Sequence, residues 1–492
     1  MNSQTTTEKQ KFTSDVVWVA ISRVLISLTG IIILSALTKS FTSDTYGIWV
    51  QVNVTVGLLT PILTLHLGTA VVRFLAGEEE REKRRRAFSA MLWSVLAFSC
   101  LVLLISVLLR QSLSIFLFAS PQYATFIPLT FLWSLVEALF QFSLSYLRAR
   151  GKIKRLSIVR IALSAMRVIL IVVLAIAGYS LGWIIACLIA IEALFMVAVF
   201  GVIVREIGFP KPALGELKGY LAFSVPQIPS GVLIWIISAS DRYFITHLLN
   251  LSQTGIYSAS YSLGSLISLF YAPIGFVLLP TVSKFWDWGE PLRVKKYFEY
   301  STRVFLFLAI PATAGLYILS QPLLSILTTS EYRVGGSLVL LVTLGTVLVG
   351  IYDLNVYIIY LVRQTKWLPL MIAVAALTNA GINIALIPRI GIMGAAISTI
   401  VSYFVLAAIV TVWTRRAISY KIDFKFLSKV VAATLVMAFC LKFIEINSVL
   451  GIVLAIIAGA AIFGLGIFLS RAFSREDRRL IREALTGLNP RL

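Results

Sequence analysis

Apolar residues run through the chain in long stretches, and polar residues are confined to short segments between them. The apolar runs fall at 16–38, 47–70, 88–109, 124–146, 156–178, 181–204, 220–246, 255–281, 304–327, 336–361, 367–387, 391–413, 427–444 and 449–470. Each approaches the roughly 20 residues that carry an α-helix across a bilayer. Hydrocarbon offers no partner to backbone N–H and C=O groups, so such runs must be helical. The pattern predicts an all-α, polytopic membrane protein of about 14 transmembrane helices.

The polar segments carry the finer organisation. Residues 1–15 read as a polar, disordered arm, and 205–219, with Pro210 and Pro212, as a linker. Three pairs of turn motifs recur at nearly one offset. Gly47 in Tyr46-Gly47-Ile48-Trp49 is echoed by Gly255 in Gly255-Ile256-Tyr257, 208 residues on. Lys152 is echoed by Lys366 at 214, and Gly182 by Gly394 at 212. Each interval spans six helices, which predicts two parallel six-helix lobes, 16–204 and 220–413. Parallel repeats are a transporter architecture, with the substrate site between the halves. Two further helices at 427–470 and a basic tail at 471–492 lie outside the repeat, and 283–299 reads as an interfacial amphipathic helix.

Composition agrees: 59% of the 492 residues are hydrophobic and 13% charged, too apolar for a soluble chain. The net charge of +21 would suggest nucleic acid, but its distribution excludes that reading. With the N-terminus inside, alternate loops hold 34 of the 43 Lys and Arg residues and the opposite loops 5. The positive-inside rule then places both termini in the cytoplasm of a cell-membrane protein. The first run is too long for a signal-peptide core and is expected to be retained. Cys100, Cys187 and Cys440 are scattered, and His66 and His247 stand alone, so neither a disulfide framework nor a metal site is expected. No oligomer signal is present, and a monomer is the default.

Charges inside apolar runs are costly and mark function or pairing. Arg160 and Arg167 are seven apart, on one helical face. Arg167 lies roughly 18 Å into its span, too deep to reach the surface easily. Arg23 and Arg160 are shallower and could extend to lipid headgroups. Arginine's fork of donors suits phosphate oxygens, so Arg167, Arg23 and Arg160 are candidate phosphate ligands. Glu137 (one turn from Gln141), Glu192 and Asp353 (near Asn355) either neutralise buried arginines or couple transport to an ion, Na+ or H+. No other cofactor is implied. The stretch 223–246 begins with Pro226 and Pro229 and ends with Asp241-Arg242, which read as a gate or interlobe salt bridge. Trp235, Tyr257 and Tyr261 are candidate sugar contacts; interfacial aromatic belts explain such residues equally well.

The Phe-Ser-x-Pro-x-x-Pro entry at 223–229, Ser240-Asp241-Arg242-Tyr243, Gly255-Ile256-Tyr257-Ser258, Arg23, the Tyr46-Gly47 turn and the Arg148-x-Arg150-Gly151-Lys152 loop together resemble one family. It is the polysaccharide-transporter branch of the multidrug/oligosaccharidyl-lipid/polysaccharide exporter (MOP) superfamily, which includes Wzx-type O-antigen flippases. The resemblance implies a V-shaped pair of lobes around a central cavity. It also implies movement of a polyprenyl-(di)phosphate-linked oligosaccharide to the outer leaflet by alternating access. A cation-coupled drug antiporter of the same superfamily is the alternative; buried arginines favour anionic cargo. A membrane glycosyltransferase or polymerase would need a sizeable extramembrane region with clustered acids, and the chain shows neither a P-loop nor an H-E-x-x-H signature. The protein therefore reads as a transporter rather than an enzyme.

Overall fold

The computed structural model describes residues 2–472 apart from 213, 214, 216, 334, 335, 445 and 447, and side chains from Trp18 onward except that of residue 20. The described residues contain helices and turns only. In order, these are α1 (Asn2–Ser40), α2 (Ser43–Leu63), α3 (Leu67–Leu75), α4 (Arg81–Leu108), α5 (Arg110–Phe118) and α6 (Phe126–Ala149). Then come α7 (Ile153–Ile176), α8 (Leu181–Ile207), α9 (Leu217–Ser224), α10 (Ile228–Ala239), α11 (Asp241–Leu248), α12 (Leu251–Gly264) and α13 (Ser268–Asp287). The chain continues with α14 (Pro291–Leu327), α15 (Gly336–Leu361), α16 (Leu368–Ile390), α17 (Ile392–Thr414), α18 (Phe424–Leu441) and α19 (Val449–Leu469). Fourteen spans are long and apolar enough to cross a bilayer, matching the sequence expectation.

Four boundaries differ from that expectation, each for a local reason. Residues 2–15 continue α1 instead of forming an unstructured arm. The 47–70 run breaks after Leu63, because Leu65 and His66 adopt left-handed φ values of 50° and 52°. The 220–246 run divides at Val225–Gln227, where Pro226 has no N–H to give the helix, and again at Ser240. The expected interfacial helix at 283–299 is instead the end of α13 and the start of α14, joined through Gly289 at φ 72°. The tail expected at 471–492 lies outside the described residues beyond Ala472.

The chain forms two compact units, one of residues 1–262 with 366–402, the other of 263–365 with 403–492. These cut across the lobes expected from the repeat: the first unit runs through the 205–219 linker, because α10 and α11 pack on both α2 and α16.

In the first unit α6 is the central helix, touching α2, α3, α4, α7 and α8. Its sequence explains that position. Thr130, Ser134 and Ser143 are small enough for close helix approach, and each hydroxyl donates to the carbonyl four residues back at 2.7–2.8 Å. Polar side chains can therefore sit inside without unsatisfied groups. In the second unit α14 plays the corresponding part, packing against α13, α15, α18 and α19 around Phe298, Phe305 and Leu306. Exposed Leu435, Phe439, Leu450 and Phe468 on α18 and α19 are the lipid-facing surface that fourteen apolar spans require.

Candidate functional site

A line of polar groups crosses the interior of the first unit. Trp133, Glu137 and Gln141 follow at i+4 spacing and so share one face of α6. Trp133 Nε1 donates to Glu192 Oε2 on α8 at 2.8 Å. Arg167 Nη2, on α7, donates to both Glu192 Oε2 and Glu137 Oε2, the latter at 3.1 Å. Gln141 Nε2 donates to Glu137 Oε1 at 2.6 Å, and its own Oε1 accepts from Arg160 Nη2 at 3.0 Å. Glu192 is fully buried, and Glu137 and Arg167 are mostly so. Arg167 thus has its guanidinium committed to two carboxyl groups, while Arg160, one face-repeat earlier, meets only an amide.

Arg160 is part of a group of unpaired cations. α1 and α7 run side by side in the same direction, since Lys154 lies over the Trp18 ring and the Thr29 and Ser164 hydroxyls meet at 2.8 Å. Those two pairs bracket Arg23 and bring it level with Arg160. Arg160 feels attraction from Glu137 at longer range and repulsion from Arg148 and Arg23. None of Arg23, Arg148 and Arg160 has a carboxylate partner among the described residues.

The α2–α3 break opens a cavity beside them. Thr60, Pro61, Thr64 and Gly68 line one wall of a space of about 270 Å³, and Gln141, Ser145, Arg148 and Arg160 line the other. Gly68 leaves room for the Ser145 hydroxyl, which would stand 2.8 Å from a Cβ there and would have to turn away. Two guanidinium groups make this wall suited to an anion; the Thr60, Thr64 and Ser145 hydroxyls donate to the Val56, Pro61 and Gln141 carbonyls, and the Gln141 amide is held between Glu137 and Arg160. Sequence reasoning placed Arg23 and Arg160 but missed Arg148, Thr60, Thr64 and Ser145. Arg148 had been assigned to a cytoplasmic loop, and the hydroxyls gained meaning only from the helix break.

The remaining candidates lie elsewhere. Asp241 and Arg242 are buried and pair with each other at 2.6 Å, so this bridge is local to α11. Arg242 also donates to the Ser238 carbonyl at 2.8 Å and lies 3.9 Å from the Tyr261 ring centre and 5.2 Å from that of Tyr257. Tyr257 donates its hydroxyl to Asp241 and is fully buried, which removes it from sugar contact in this conformation. Trp235 is half-buried, with Nε1 donating to the Val54 carbonyl at 3.1 Å. Asp353 belongs to the second unit and lies near Tyr352 and Tyr360, while its neighbour Asn355 accepts from Tyr420 at 3.0 Å. His247 contacts the Phe116 carbonyl at 2.7 Å, and no cluster of metal-ligating residues occurs among the described residues.

One buried polar group went unread in the sequence. Asn379 and Asn383 stand one turn apart on α16 and bond to each other at 3.0 Å. The Ser398 hydroxyl donates to the Asn379 carbonyl at 2.8 Å. Two asparagines at i, i+4 in an apolar run were the available signal.

A family model described as polysaccharide biosynthesis protein matches residues 36–335. Among curated proteins, the chain is 20% identical over 257 residues to the probable low-salt glycan biosynthesis flippase Agl15 of Haloferax volcanii, covering 51% of this chain and 54% of that one. It is 28% identical over 204 residues to the probable lipid II flippase MurJ of Bdellovibrio bacteriovorus, with 39% and 38% covered. It is 24% identical over 303 residues to the probable flippase AglR of Haloferax volcanii, with 60% and 63% covered. The match spans less than two thirds of the length of each of these relatives. Among solved structures, the lipid II flippase MurJ in an inward closed conformation gives a TM-score of 0.78 at 15% identity, over 93% of this chain and 99% of that one. An inward-facing MATE-family multidrug resistance transporter of the MOP superfamily gives 0.66 at 12% identity, over 81% and 98%. At these identities the likeness is one of fold.

Proposed function

The chain belongs to the polysaccharide biosynthesis protein family, and on that premise we propose that it is a flippase for a polyprenyl-(di)phosphate-linked oligosaccharide, moved from the cytoplasmic to the outer leaflet by alternating access. One observation carries the reading: Arg148 and Arg160 line the cavity formed by the α2–α3 break without an ion-pair partner among the described residues, and Arg23 lies near Arg160. All three are exposed and so open to an anionic partner. A phosphate or diphosphate supplies several acceptor oxygens at once, which is what a set of guanidinium forks can hold. Arg160 and Arg148 line the cavity as direct phosphate ligands, and Arg23 adds charge. Arg167 enters as the charge partner of Glu137 and Glu192.

A drug antiporter of this fold would carry cationic or neutral cargo, and a surplus of unpaired arginines opposes that. The three curated relatives described above carry the names of flippases, which supports the same choice. Both termini are placed in the cytoplasm by the loop charges. The test is genetic with a lipid readout. Deleting the gene leads to accumulation of a lipid-linked oligosaccharide in the cytoplasmic leaflet, reversed by the wild-type chain. An unchanged lipid pool with unchanged surface glycan would refute the proposal.

A further inference from the structure

The unpaired arginines account for the cavity but leave the carboxyl groups behind it unexplained. Glu137 Oε2 and Glu192 Oε2 both accept from the single Arg167 Nη2, which holds the two carboxyl groups side by side. Two ionised carboxylates cannot bond to one another, since neither has a donor. One shared guanidinium also cannot balance both, and a surplus charge in a buried site is strongly disfavoured. Two atoms locate the imbalance. Glu192 Oε1 is buried with no donor reaching it, and Arg167 Nε is buried with no acceptor.

We propose that Glu137 and Glu192 hold one proton between them and form a proton-binding site in the interior of the first unit. With the proton on one of the two, that carboxyl becomes neutral and gains a donor, while the other keeps its charge against Arg167. With Glu192, the fully buried one, as the neutral acid, ionised Glu137 and Arg167 are a neutral pair beside it, and the site carries no net charge. On release, the proton passes to Glu137, whose side chain is 18% exposed, and from there to water. The site is left with two carboxylates, one guanidinium and one net negative charge.

The charges acting on the pair are few. From α7 they are Arg167 and, through Gln141, Arg160, and from α6 no other charged group faces it. Arg148, also on α6, lies eleven residues from Glu137, about 16 Å along the axis. On α8, Arg205 and Glu206 lie about 20 Å from Glu192 by the same rise. Tyr46 of α2 turns to Ser262, and Tyr146 of α6 faces Glu206. Asp44 of α2, Arg73 of α3 and the Arg81–Arg86 run of α4 lie at helix ends and do not act on either carboxyl.

Gln141 bonds to Glu137 with one end and to Arg160 with the other. Proton binding is therefore connected to the phosphate cavity by a single side chain, a link that rests on the flippase reading; the proton site itself does not.

The test is infrared spectroscopy of the full-length protein in lipid nanodiscs at neutral pH, which requires neither transport nor phosphate binding and so fails independently of the function proposed above. The wild type is expected to show the C=O band of a protonated carboxyl that shifts in D2O. Glu192→Gln and Glu137→Gln should each lose that band, because either substitution leaves one carboxylate with one guanidinium. Glu206→Gln, which removes an acid paired to Arg150 and Lys152, should leave it in place. Absence of the band in the wild type, or its survival in either of the first two variants, would overturn the shared proton. Should one of those variants fail to fold, the other decides alone.

Discussion

Gly47 of α2 and Gly255 of α12 meet backbone to backbone. A Cβ on Gly255 would stand 2.5 Å from the Ser43 carbonyl oxygen and 3.1 Å from the Gly47 nitrogen, and one on Gly47 would overlap the Leu251 carbonyl. The Ser43 and Ser252 hydroxyls close the same contact at 2.7 Å. The two glycines are 208 residues apart, so an echo visible as a repeat signal is also a physical junction. Gly255→Ala is expected to destabilise the protein by about 1–3 kcal/mol through overpacking. Gly30, with open space around its Cβ position, is the control: Gly30→Ala should be neutral or stabilising by about 0.5–1 kcal/mol. Thermal unfolding in detergent compares them, and equal Tm values for the two variants would contradict the close approach.

Arg167 and Arg160 occupy one face of α7 but should respond differently to removal. Arg167→Ala leaves two buried carboxyl groups without their cation, a loss of about 3–5 kcal/mol in systems of this kind. Adding Glu137→Gln, which removes the ionised carboxylate, to Arg167→Ala should recover part of that loss. Arg160→Ala breaks one hydrogen bond to an amide and should change stability by no more than about 1 kcal/mol. A double-mutant cycle on Tm measures the difference, and additive losses for Arg167 and Glu137 would deny their coupling.

Inorganic pyrophosphate is a minimal probe of the cavity. Arg160→Ala and Arg148→Ala should each weaken its binding about tenfold or more, corresponding to a lost charge-assisted hydrogen bond of about 1.5–3 kcal/mol. Asp353→Asn, in the other unit, should leave binding unchanged. Isothermal titration of the purified protein reads this, and equal affinities across all variants would remove the cavity as a phosphate site.

The buried Asp241–Arg242 pair depends on its tyrosines. Tyr257→Phe removes a hydroxyl that donates to Asp241 and should cost about 1.5–3 kcal/mol. Tyr261→Phe keeps the ring under Arg242 and should cost less, because cation–π attraction needs no hydroxyl. Denaturation midpoints that ranked the two the other way would argue against this division of roles.

The helices were legible because hydrocarbon imposes a strict rule on chain length and polarity, and all fourteen spans emerged from apolar runs alone. Intramembrane charges stood out for the same reason, which is why Arg23, Arg160, Arg167, Glu137 and Glu192 were found from sequence. Which of them pair was not legible. Arg167 meets Glu192 across α7 and α8 while Arg160 meets no acid, and that depends on helix rotation, which a residue list does not contain. The break at Leu65 and His66 was hidden as well, since neither residue type signals a left-handed backbone. The break at Val225–Gln227 was not read either, although Pro226 was the available signal.

The most direct measurement reconstitutes the purified protein in liposomes with a fluorescent polyprenyl-diphosphate oligosaccharide and follows its appearance in the opposite leaflet. The account predicts flipping by the wild type and a loss of about tenfold or more in Arg160→Ala, with Tm close to wild type. Equal flipping by wild type and Arg160→Ala, or none above protein-free liposomes, would contradict it.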